Sequence, residues 1–148
     1  MNSAIRKGLV TAYIGLGSNL DDPMQQVLTA CDELKQLSES SLLVCSSLYR
    51  SPPMGPTDQP DYINAVAAVE TTLEPHKLLA QLQAIEHRHG RVRERRWGAR
   101  TLDMDLLIYG DQILSDATLI LPHPGLAERA FVLYPLQEIA RSLIVPGL

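Results

Sequence analysis

Residues 102–109 (LDMDLLIY) constrain the fold more than any other part of the chain. The segment has the composition of a β-strand whose apolar second half must be buried, and its first half carries Asp103 and Asp105. Residues two apart on a strand point to the same face, so both carboxylates project together. The fold must therefore bury this strand at one end and leave its acidic end beside a polar space.

An arginine-rich segment precedes this strand. Residues 90–100 place five arginines around the single tryptophan, Trp97; they are Arg91, Arg93, Arg95, Arg96 and Arg100. Guanidinium groups match phosphate oxygens, and Mg²⁺ is usually held by one or two carboxylates together with substrate phosphates. Each feature alone is also typical of a solvated surface. In combination they favour a magnesium and polyphosphate site beside an arginine loop that closes when a triphosphate binds.

The composition narrows the class of protein. A chain of 148 residues is one domain by length, and we expect a single domain, 1–148, with residues 1–9 as a loose leader. The formal charge of −4 argues against a general nucleic-acid binder. No apolar run has the length of a membrane span, and the N-terminus lacks a signal-peptide core. Cys31 and Cys45 have no metal-binding spacing, which indicates reduced core residues of a cytoplasmic protein.

The order of the predicted elements indicates a fold. Strands are predicted at 10–16, 41–50, 61–71 and 102–109, with one helix starting after Asp22 as N-cap and a second running from Pro75 to Gly90. This order, β-α-β-β-α-β, is that of the ferredoxin-like fold. We therefore expect an α+β protein with an antiparallel sheet, two helices on one face and ligand-binding loops on the other.

Apolar periodicity predicts which helix faces are buried. The first helix has a predicted core stripe of Met24, Leu28, Cys31 and Leu34, and the second has one of Leu78, Leu79, Leu82 and Ile85. After the last long strand, a turn at 110–111 leads into a short strand at 112–114. A final helical segment starts at Gly125, and Pro135 is expected to interrupt it. His76, His87 and His89 are interpreted as helix-surface residues.

A proline-rich loop, 51–60, precedes the third strand and contains four prolines. Such a loop is stiff, so it can be a connector or one wall of a site for a flat ligand. Tyr62 and Asn64 follow it on one face of the strand. The Asn64 amide can both donate and accept hydrogen bonds, which suits a ligand with an amide-like edge. Alternatives are a bond from Asn64 to neighbouring backbone, and a core position for Tyr62.

Four separated motifs resemble the 6-hydroxymethyl-7,8-dihydropterin pyrophosphokinase family of folate biosynthesis. They are YIGLGSNL at 13–20, YRSPPMGPTDQPDYINA at 49–65, RWGARTLDMDLL at 96–107 and LPHP at 121–124. Their occurrence in this order, over residues 13–139, is more specific than any one motif. The resemblance implies transfer of the β,γ-pyrophosphoryl group of ATP to the pterin hydroxymethyl group, with release of AMP.

The resemblance also implies roles for individual residues. Asp103 and Asp105 correspond to the ligands of two Mg²⁺ ions and, with Arg91 and Arg100, to the catalytic set. The pterin-binding residues implied are Ser51, Pro53, Met54, Tyr62, Asn64 and Phe131. The ATP-binding residues implied are Gln83, Glu86, Arg91, Trp97, Arg100, Ile108, His123 and Arg129. The partners implied are ATP and the pterin, with no nucleic acid and no membrane, for a monomeric protein.

Two departures from the family pattern bear on ATP binding. Thr118 stands where the family often has arginine or lysine, and the arginine segment is one residue shorter than in some members.

Three rival functions are an RNA-binding module, a nucleotide-sugar transferase and a catalytically weakened paralogue. An RNA-binding sheet needs stacking aromatics, and aromatic residues are only 5% of this chain. A nucleotide-sugar transferase does not explain the proline-rich loop followed by Tyr62 and Asn64.

Overall fold

The computed structural model describes residues 8–53, 58–90, 101–140 and 145. In chain order the elements are β1 (Val10–Ser18), α1 (Pro23–Leu34), β2 (Ser40–Cys45), β3 (Tyr49–Ser51), β4 (Tyr62–Thr71), α2 (Pro75–Arg88), β5 (Asp103–Tyr109), β6 (Leu114–Ser115), β7 (Ile120–Leu121), a 3₁₀ turn (Leu126–Glu128) and α3 (Ala130–Ile139). The Arg91, Trp97, Arg100 and Met54 predictions, and most of the expected leader, lie outside the described residues.

The main sheet is antiparallel and has the strand order β2-β4-β1-β5, with β3 also paired to β4. Among the described residues three α-helices accompany the sheet, so the chain is an α+β protein. This arrangement is compatible with the ferredoxin-like pattern expected from the sequence. Within the part of the chain that the structure describes, no helix is both long and apolar enough to cross a membrane.

The two faces of the sheet bury two separate apolar clusters. The larger cluster joins α1 and α2 to one face, where Ile14, Ala67 and Met104 point inward. The smaller one joins α3 to the opposite face through Val66 and Leu107. The prediction of loops alone on that second face was therefore wrong, because a third helix packs there.

Strand β5 changes its alternation at a bulge. The register places Tyr13 opposite Ile108 and Ile14 opposite Leu106, so Leu107 is an extra residue. Before the bulge Met104 and Leu106 face the larger cluster, and Leu107 and Ile108 then both join the smaller one. Alternation therefore places Asp103 and Asp105 on the α3 side of the sheet.

Helix α1 buries a face that overlaps the predicted one only in part, because Cys31 and Leu34 join the larger cluster and the other two predicted residues do not. Met24 and Leu28 are 51% and 47% exposed, whereas Val27, Ala30 and Leu34 are buried. The predicted and the observed stripes both have helical spacing. Each residue turns the helix by about 100°, so Met24 and Leu28 lie beside the buried stripe and not within it. Helix α2 follows its prediction.

The predicted N-cap of α1 is confirmed only in part, whereas both cysteines pack against the core as expected. Asp22 is the N-cap of α1 in a left-handed conformation, but its side chain makes no capping bond. For α2, the Glu74 carboxylate accepts the Lys77 N–H. Cys31 and Cys45 are free thiols that pack, half-buried, against the larger cluster.

Three predictions for the strands and the last helix were wrong. The predicted strand 41–50 is divided into β2 and β3, because residues 46–48 leave the ladder. The short strand is Leu114–Ser115 and pairs with Ile120–Leu121 rather than with β5. Helix α3 continues through Pro135 to Ile139. Pro135 lies in the second turn of α3, where its ring does not stop the helix from burying Val132 and Leu136 against the sheet.

Candidate active site

The first of two clefts lies on the α3 side of the sheet, and two glycines of β1 form its floor. Gly15 and Gly17 pair with Asp105 and Asp103 on β5, so no β1 side chain separates the acidic pair from β4. A Cβ atom at Gly17 would lie 3.2 Å from Asn64 Oδ1. The open space of this cleft, about 620 Å³ including the solvent at its mouth, therefore reaches the sheet backbone between β4 and β5.

One wall of the first cleft comes from β3 and β4. Asn64 is only 4% exposed, and its Nδ2 donates a hydrogen bond of 2.7 Å to Ser51 Oγ. Tyr62 pairs with Ser51 across the two strands and lines the same cleft. The amide of Asn64 has a second N–H and an acceptor oxygen beyond the bond to Ser51. This wall can therefore offer both a donor and an acceptor to a flat polar ligand.

The opposite wall is the start of α3. Phe131 and Val132 line the cleft together with Arg129, the N-cap residue of the helix. The guanidinium carbon of Arg129 lies 5.9 Å from the centroid of the Phe131 ring, which is within cation–π range. This wall thus combines a planar aromatic surface with a positive charge.

Glu138 ties α3 to the start of β3 and to the residues just before it. Its carboxylate accepts the Tyr49 hydroxyl at 2.6 Å and the backbone N–H of Ser47 at 3.0 Å. These bonds, that of Tyr49 first, lower the pKa of Glu138. Helix α3 and strand β3, each of which contributes to one wall of the first cleft, are therefore connected by an ionised carboxylate.

A second cleft, with about 780 Å³ of empty space, lies beside β5 between α2 and residues 116–124. Gln83 and Glu86 of α2 line it on one side, and Thr118 and His123 line it on the other. Asp105 borders both clefts. A ligand in either space therefore meets the same carboxylate.

Glu86 is buried at the base of the second cleft and is 5% exposed. Its Oε2 accepts the backbone N–H of Met104 at 2.7 Å. Met104 lies between Asp103 and Asp105, so this bond fixes the strand at the point where both carboxylates leave it.

His123 has a defined proton position. Its Nδ1 accepts the backbone N–H of Gly125 at 3.0 Å, so the neutral ring carries its proton on Nε2. Burial first, and then the positive charge of Arg129, lower the pKa of His123, while Asp103 opposes the shift. The ring is therefore a neutral donor close to both the cationic wall and the acidic pair.

The loop around Thr118 is held by Asp116. One carboxylate oxygen accepts the backbone N–H groups of Thr118 and Leu119, both at 2.9 Å, and the other lies 2.8 Å from His76 Nε2. These bonds, the Thr118 backbone bond foremost, lower the pKa of Asp116. The loop that carries Thr118 is thereby tied to the start of α2. His76 is 41% exposed on α2, as expected for a helix-surface residue, and it takes part in this contact.

The structure brings many of the predicted site residues together. The first cleft contains Ser51, Tyr62, Asn64, Asp103, Asp105, Arg129 and Phe131, and the second contains Gln83, Glu86, Asp105 and His123. Pro53 lines neither cleft, whereas its neighbour Pro52 lines the first. Ile108 is 1% exposed in the smaller apolar cluster, so its side chain does not reach either space.

Sequence reasoning missed the glycine floor and part of the second cleft. Gly15 and Gly17 alternate on β1, and this spacing in a strand otherwise rich in apolar residues is a signal that could have found the floor. Val132, Asp116 and Leu119 also line the clefts. No local pattern separates those three from ordinary core or loop residues.

The donor set fits a hard divalent cation only if a substrate completes it. Among the described residues, no group of three or more histidine, cysteine or acidic side chains could hold a metal ion. Asp103 and Asp105 supply two carboxylates at the junction of the clefts. Mg²⁺ is commonly held by one or two carboxylates with substrate phosphates, so the pair suits a cation that arrives with a polyphosphate.

Comparisons with known proteins show the family of this chain. Residues 13–141 match the family model for 7,8-dihydro-6-hydroxymethylpterin-pyrophosphokinase. The 2-amino-4-hydroxy-6-hydroxymethyldihydropteridine pyrophosphokinase of Haemophilus influenzae is 53% identical over 139 residues, which are 94% of this chain and 87% of that protein. The protein of the same name from Pseudomonas aeruginosa is 50% identical over 134 residues, covering 90% and 83%. The folic acid synthesis protein fol1 of Pneumocystis carinii is 42% identical over 134 residues, 90% of this chain and 18% of that protein.

Proposed function

The chain belongs to the 7,8-dihydro-6-hydroxymethylpterin-pyrophosphokinase family, and from this we propose how its two clefts divide the substrates of the reaction. The protein is a 2-amino-4-hydroxy-6-hydroxymethyldihydropteridine pyrophosphokinase of folate biosynthesis, which transfers pyrophosphate from ATP to hydroxymethyldihydropterin. Loss of the two outer phosphates leaves AMP as the second product. The main support for placing one substrate in each cleft is that Asp105 borders both of them.

The pterin is proposed to occupy the first cleft. Its flat ring suits the space between the β4 wall and the Phe131 ring. Its amide-like edge suits Asn64, which can donate and accept at once, and the Ser51 hydroxyl orients that amide. Tyr62 borders the same space. Pro53 and Met54 remain predictions for this site.

ATP is proposed to occupy the second cleft. His123 presents an Nε2–H donor that suits a phosphate oxygen, because its Nδ1 already accepts the Gly125 N–H. Gln83 offers a side-chain amide from α2, and Glu86 holds the strand beneath. The family's roles for Arg91, Trp97, Arg100 and Ile108 in ATP binding remain predictions.

Asp103 and Asp105 would hold the Mg²⁺ that accompanies ATP. Enzymes that use ATP in this way generally need Mg²⁺, and we propose two ions for this site, as the family resemblance implies. When bound, the metal supplies charge neutralisation along the triphosphate and polarisation of the attacking oxygen. Both carboxylates leave β5 on the same side of the sheet, where the hydroxymethyl group and the triphosphate would meet.

The described residues contribute mainly by positioning and by fixed charge. Transfer of this kind depends on orientation and on neutralising developing negative charge. Asn64 and Phe131 would orient the pterin so that its hydroxymethyl oxygen faces Asp105. Arg129 places a positive charge beside Phe131 and near enough to His123 to affect its pKa, so it can stabilise negative charge at the junction. Arg91 and Arg100 are proposed to act with it.

The remaining proposals concern organisation. We propose the ferredoxin-like topology, a single domain over residues 1–148 and a monomer. A cytoplasmic location is proposed because Cys31 and Cys45 are free thiols. No nucleic acid or membrane is proposed as a partner.

One incubation tests the function directly. The protein is mixed with ATP, Mg²⁺ and 6-hydroxymethyl-7,8-dihydropterin, and the nucleotide products are separated. AMP in equal amount to pyrophosphorylated pterin is expected, with no AMP when the pterin is left out. ADP as the product would indicate transfer of a single phosphoryl group and would contradict the proposal.

A further inference from the structure

His89, the C-cap residue of α2, joins two helices through a largely covered side chain, rather than being the surface residue expected from the sequence. Its side chain is 9% exposed. The ring Nε2 contacts Glu33 of α1, and Nδ1 contacts the Oε1 atom of Gln26 on the same helix. The Gln26 amide nitrogen donates to Asp21 O at 2.9 Å. That bond orients the amide so that its oxygen, not its nitrogen, faces His89.

Both ring nitrogens of His89 therefore face oxygen atoms that belong to α1. An imidazole donates from one nitrogen when neutral and from both only as imidazolium, so at least one of these two contacts is a hydrogen bond donated by His89. A carboxylate partner strengthens the bond relative to one between neutral groups. Neither His89 nor Glu33 lines the two clefts or belongs to the proposed substrate-binding set.

The junction continues into the active site through α2. The backbone N–H of His89 donates to the carbonyl oxygen of Glu86 at 3.1 Å. The Glu86 side chain in turn accepts the Met104 N–H between the two aspartates. The turn of α2 that is fastened to α1 is thus the same turn that holds β5 at Asp103 and Asp105.

We propose that the Glu33–His89–Gln26 junction is a positioning device for the carboxylate pair of β5. By fixing the last turn of α2 against α1, it sets where Glu86 meets the Met104 N–H, and hence where both carboxylates stand relative to the clefts. His89 touches no substrate; it acts through Glu86. The inference rests on the proposed role of Asp103 and Asp105.

The first measurement needs no ligand. Backbone amide hydrogen exchange is followed for Met104 in the wild type and in His89→Ala, well below the unfolding temperature. We expect Met104 exchange to rise at least about fivefold in the variant, because its acceptor is no longer held, while central amides of β1 stay protected. Glu33→Gln, which keeps the side-chain volume, is expected to act in the same direction and serves if His89→Ala does not fold.

Arg88→Ala is the matched control. Arg88 also contacts Glu33, with Nε–Oε2 at 3.3 Å, but its side chain is 60% exposed. It lies one residue from His89 and on the same carboxylate. Because exposed ion pairs contribute little, this variant should leave Met104 exchange unchanged.

The second measurement is calorimetric titration with Mg²⁺ and a non-hydrolysable ATP analogue. Removing the partners that orient metal ligands typically weakens metal binding about tenfold or more, so we expect His89→Ala to bind the analogue about tenfold more weakly. Its KM for the pterin should be unchanged, and His89→Gln, which can still donate to Glu33, should recover part of the loss.

Two results would overturn the inference. One is unchanged Met104 exchange in both His89→Ala and Glu33→Gln. The other is a lower unfolding temperature with unchanged affinity for the analogue, which is the signature of a purely structural contact. A wild-type protein that makes no AMP would instead contradict the proposed function, and the exchange experiment would still test the junction itself.

Discussion

Replacing Asn64 with alanine tests whether the first cleft recognises the pterin by hydrogen bonding. Asn64 is 4% exposed, and one of its amide N–H groups is used by Ser51 Oγ at 2.7 Å. Its oxygen faces the cleft floor, since a Cβ at Gly17 would lie 3.2 Å from it. A bound pterin would then pair with that oxygen and with the second N–H.

The size of the effect follows from these contacts. Truncation leaves polar atoms of the bound pterin without partners in a space they share with little water. Each such group costs about 1–3 kcal/mol; taking the lower end, about 1 kcal/mol, for each of the two groups gives about 2 kcal/mol, which corresponds to a pterin Kd about thirtyfold higher. The affinity for the ATP analogue alone should change little, because Asn64 does not line the second cleft.

Calorimetric titration measures both affinities, with Asn64→Asp as the volume-matched variant. Aspartate keeps the shape of the side chain but loses the amide donor, so its pterin affinity should also fall. A pterin affinity equal to that of the wild type in Asn64→Asp, with a loss only in Asn64→Ala, would show that packing rather than pairing matters. Equal losses for pterin and nucleotide, with a lower unfolding temperature, would show a folding defect and refute the assignment.

Three further predictions follow from the same geometry. Asp103→Ala and Asp105→Ala should nearly abolish turnover while the far-ultraviolet circular dichroism stays native; residual activity above about a tenth, a barrier change under ~1.4 kcal/mol, would contradict the metal assignment. Gly17→Ala should weaken pterin binding about tenfold, because the added methyl group would lie 3.2 Å from Asn64 Oδ1 and would displace the Asn64 side chain, which Ser51 already holds. Unchanged pterin affinity would mean that the cleft accommodates the methyl group without moving Asn64. Glu138 has a lowered pKa in the folded state. Its stabilising effect is therefore present above the unfolded pKa of about 4.3 and is lost as the pH falls through the folded pKa. The difference in unfolding temperature between the wild type and Glu138→Gln should shrink below about pH 4.

The sequence predicted the parts of the fold that depend on local patterns. The strand at 61–71 and the helix from Pro75 to Gly90 lie within one or two residues of β4 and α2. Strand β4 is a nearly continuous apolar run, α2 has a single helical stripe, and both have a clear start. The acidic pair was placed on one face of β5 by the same argument. Period-two alternation is a property of the backbone, so it needs no knowledge of tertiary contacts.

Tertiary contacts decided the features that the sequence did not predict. In α1, two apolar stripes have acceptable spacing, and the sheet selects the one with Val27 and Ala30. In α3, burial of Val132 and Leu136 offsets the hydrogen bond that Pro135 cannot make. His89 has the sequence context of a polar helix end, and only the approach of α1 covers its side chain.

The bulge at Leu107 shows how one such contact changes which side chains of β5 face the candidate site. Strict alternation from Asp105 would put Leu107 on the carboxylate face and Ile108 on the face of Leu106, toward α2. The extra residue instead turns Ile108 to the α3 side, where it is 1% exposed beside Leu107. The Ile108 side chain is packed in the smaller apolar cluster, against which Phe131 also packs. Any contact with ATP at this position therefore has to come from the Ile108 backbone. A bulge is set by the pairing of two distant strands, here β1 and β5, and no local pattern in residues 102–109 announces it. The same strand can therefore hold two carboxylates at its open end and two consecutive apolar side chains in one core at its closed end, which regular pleating does not allow.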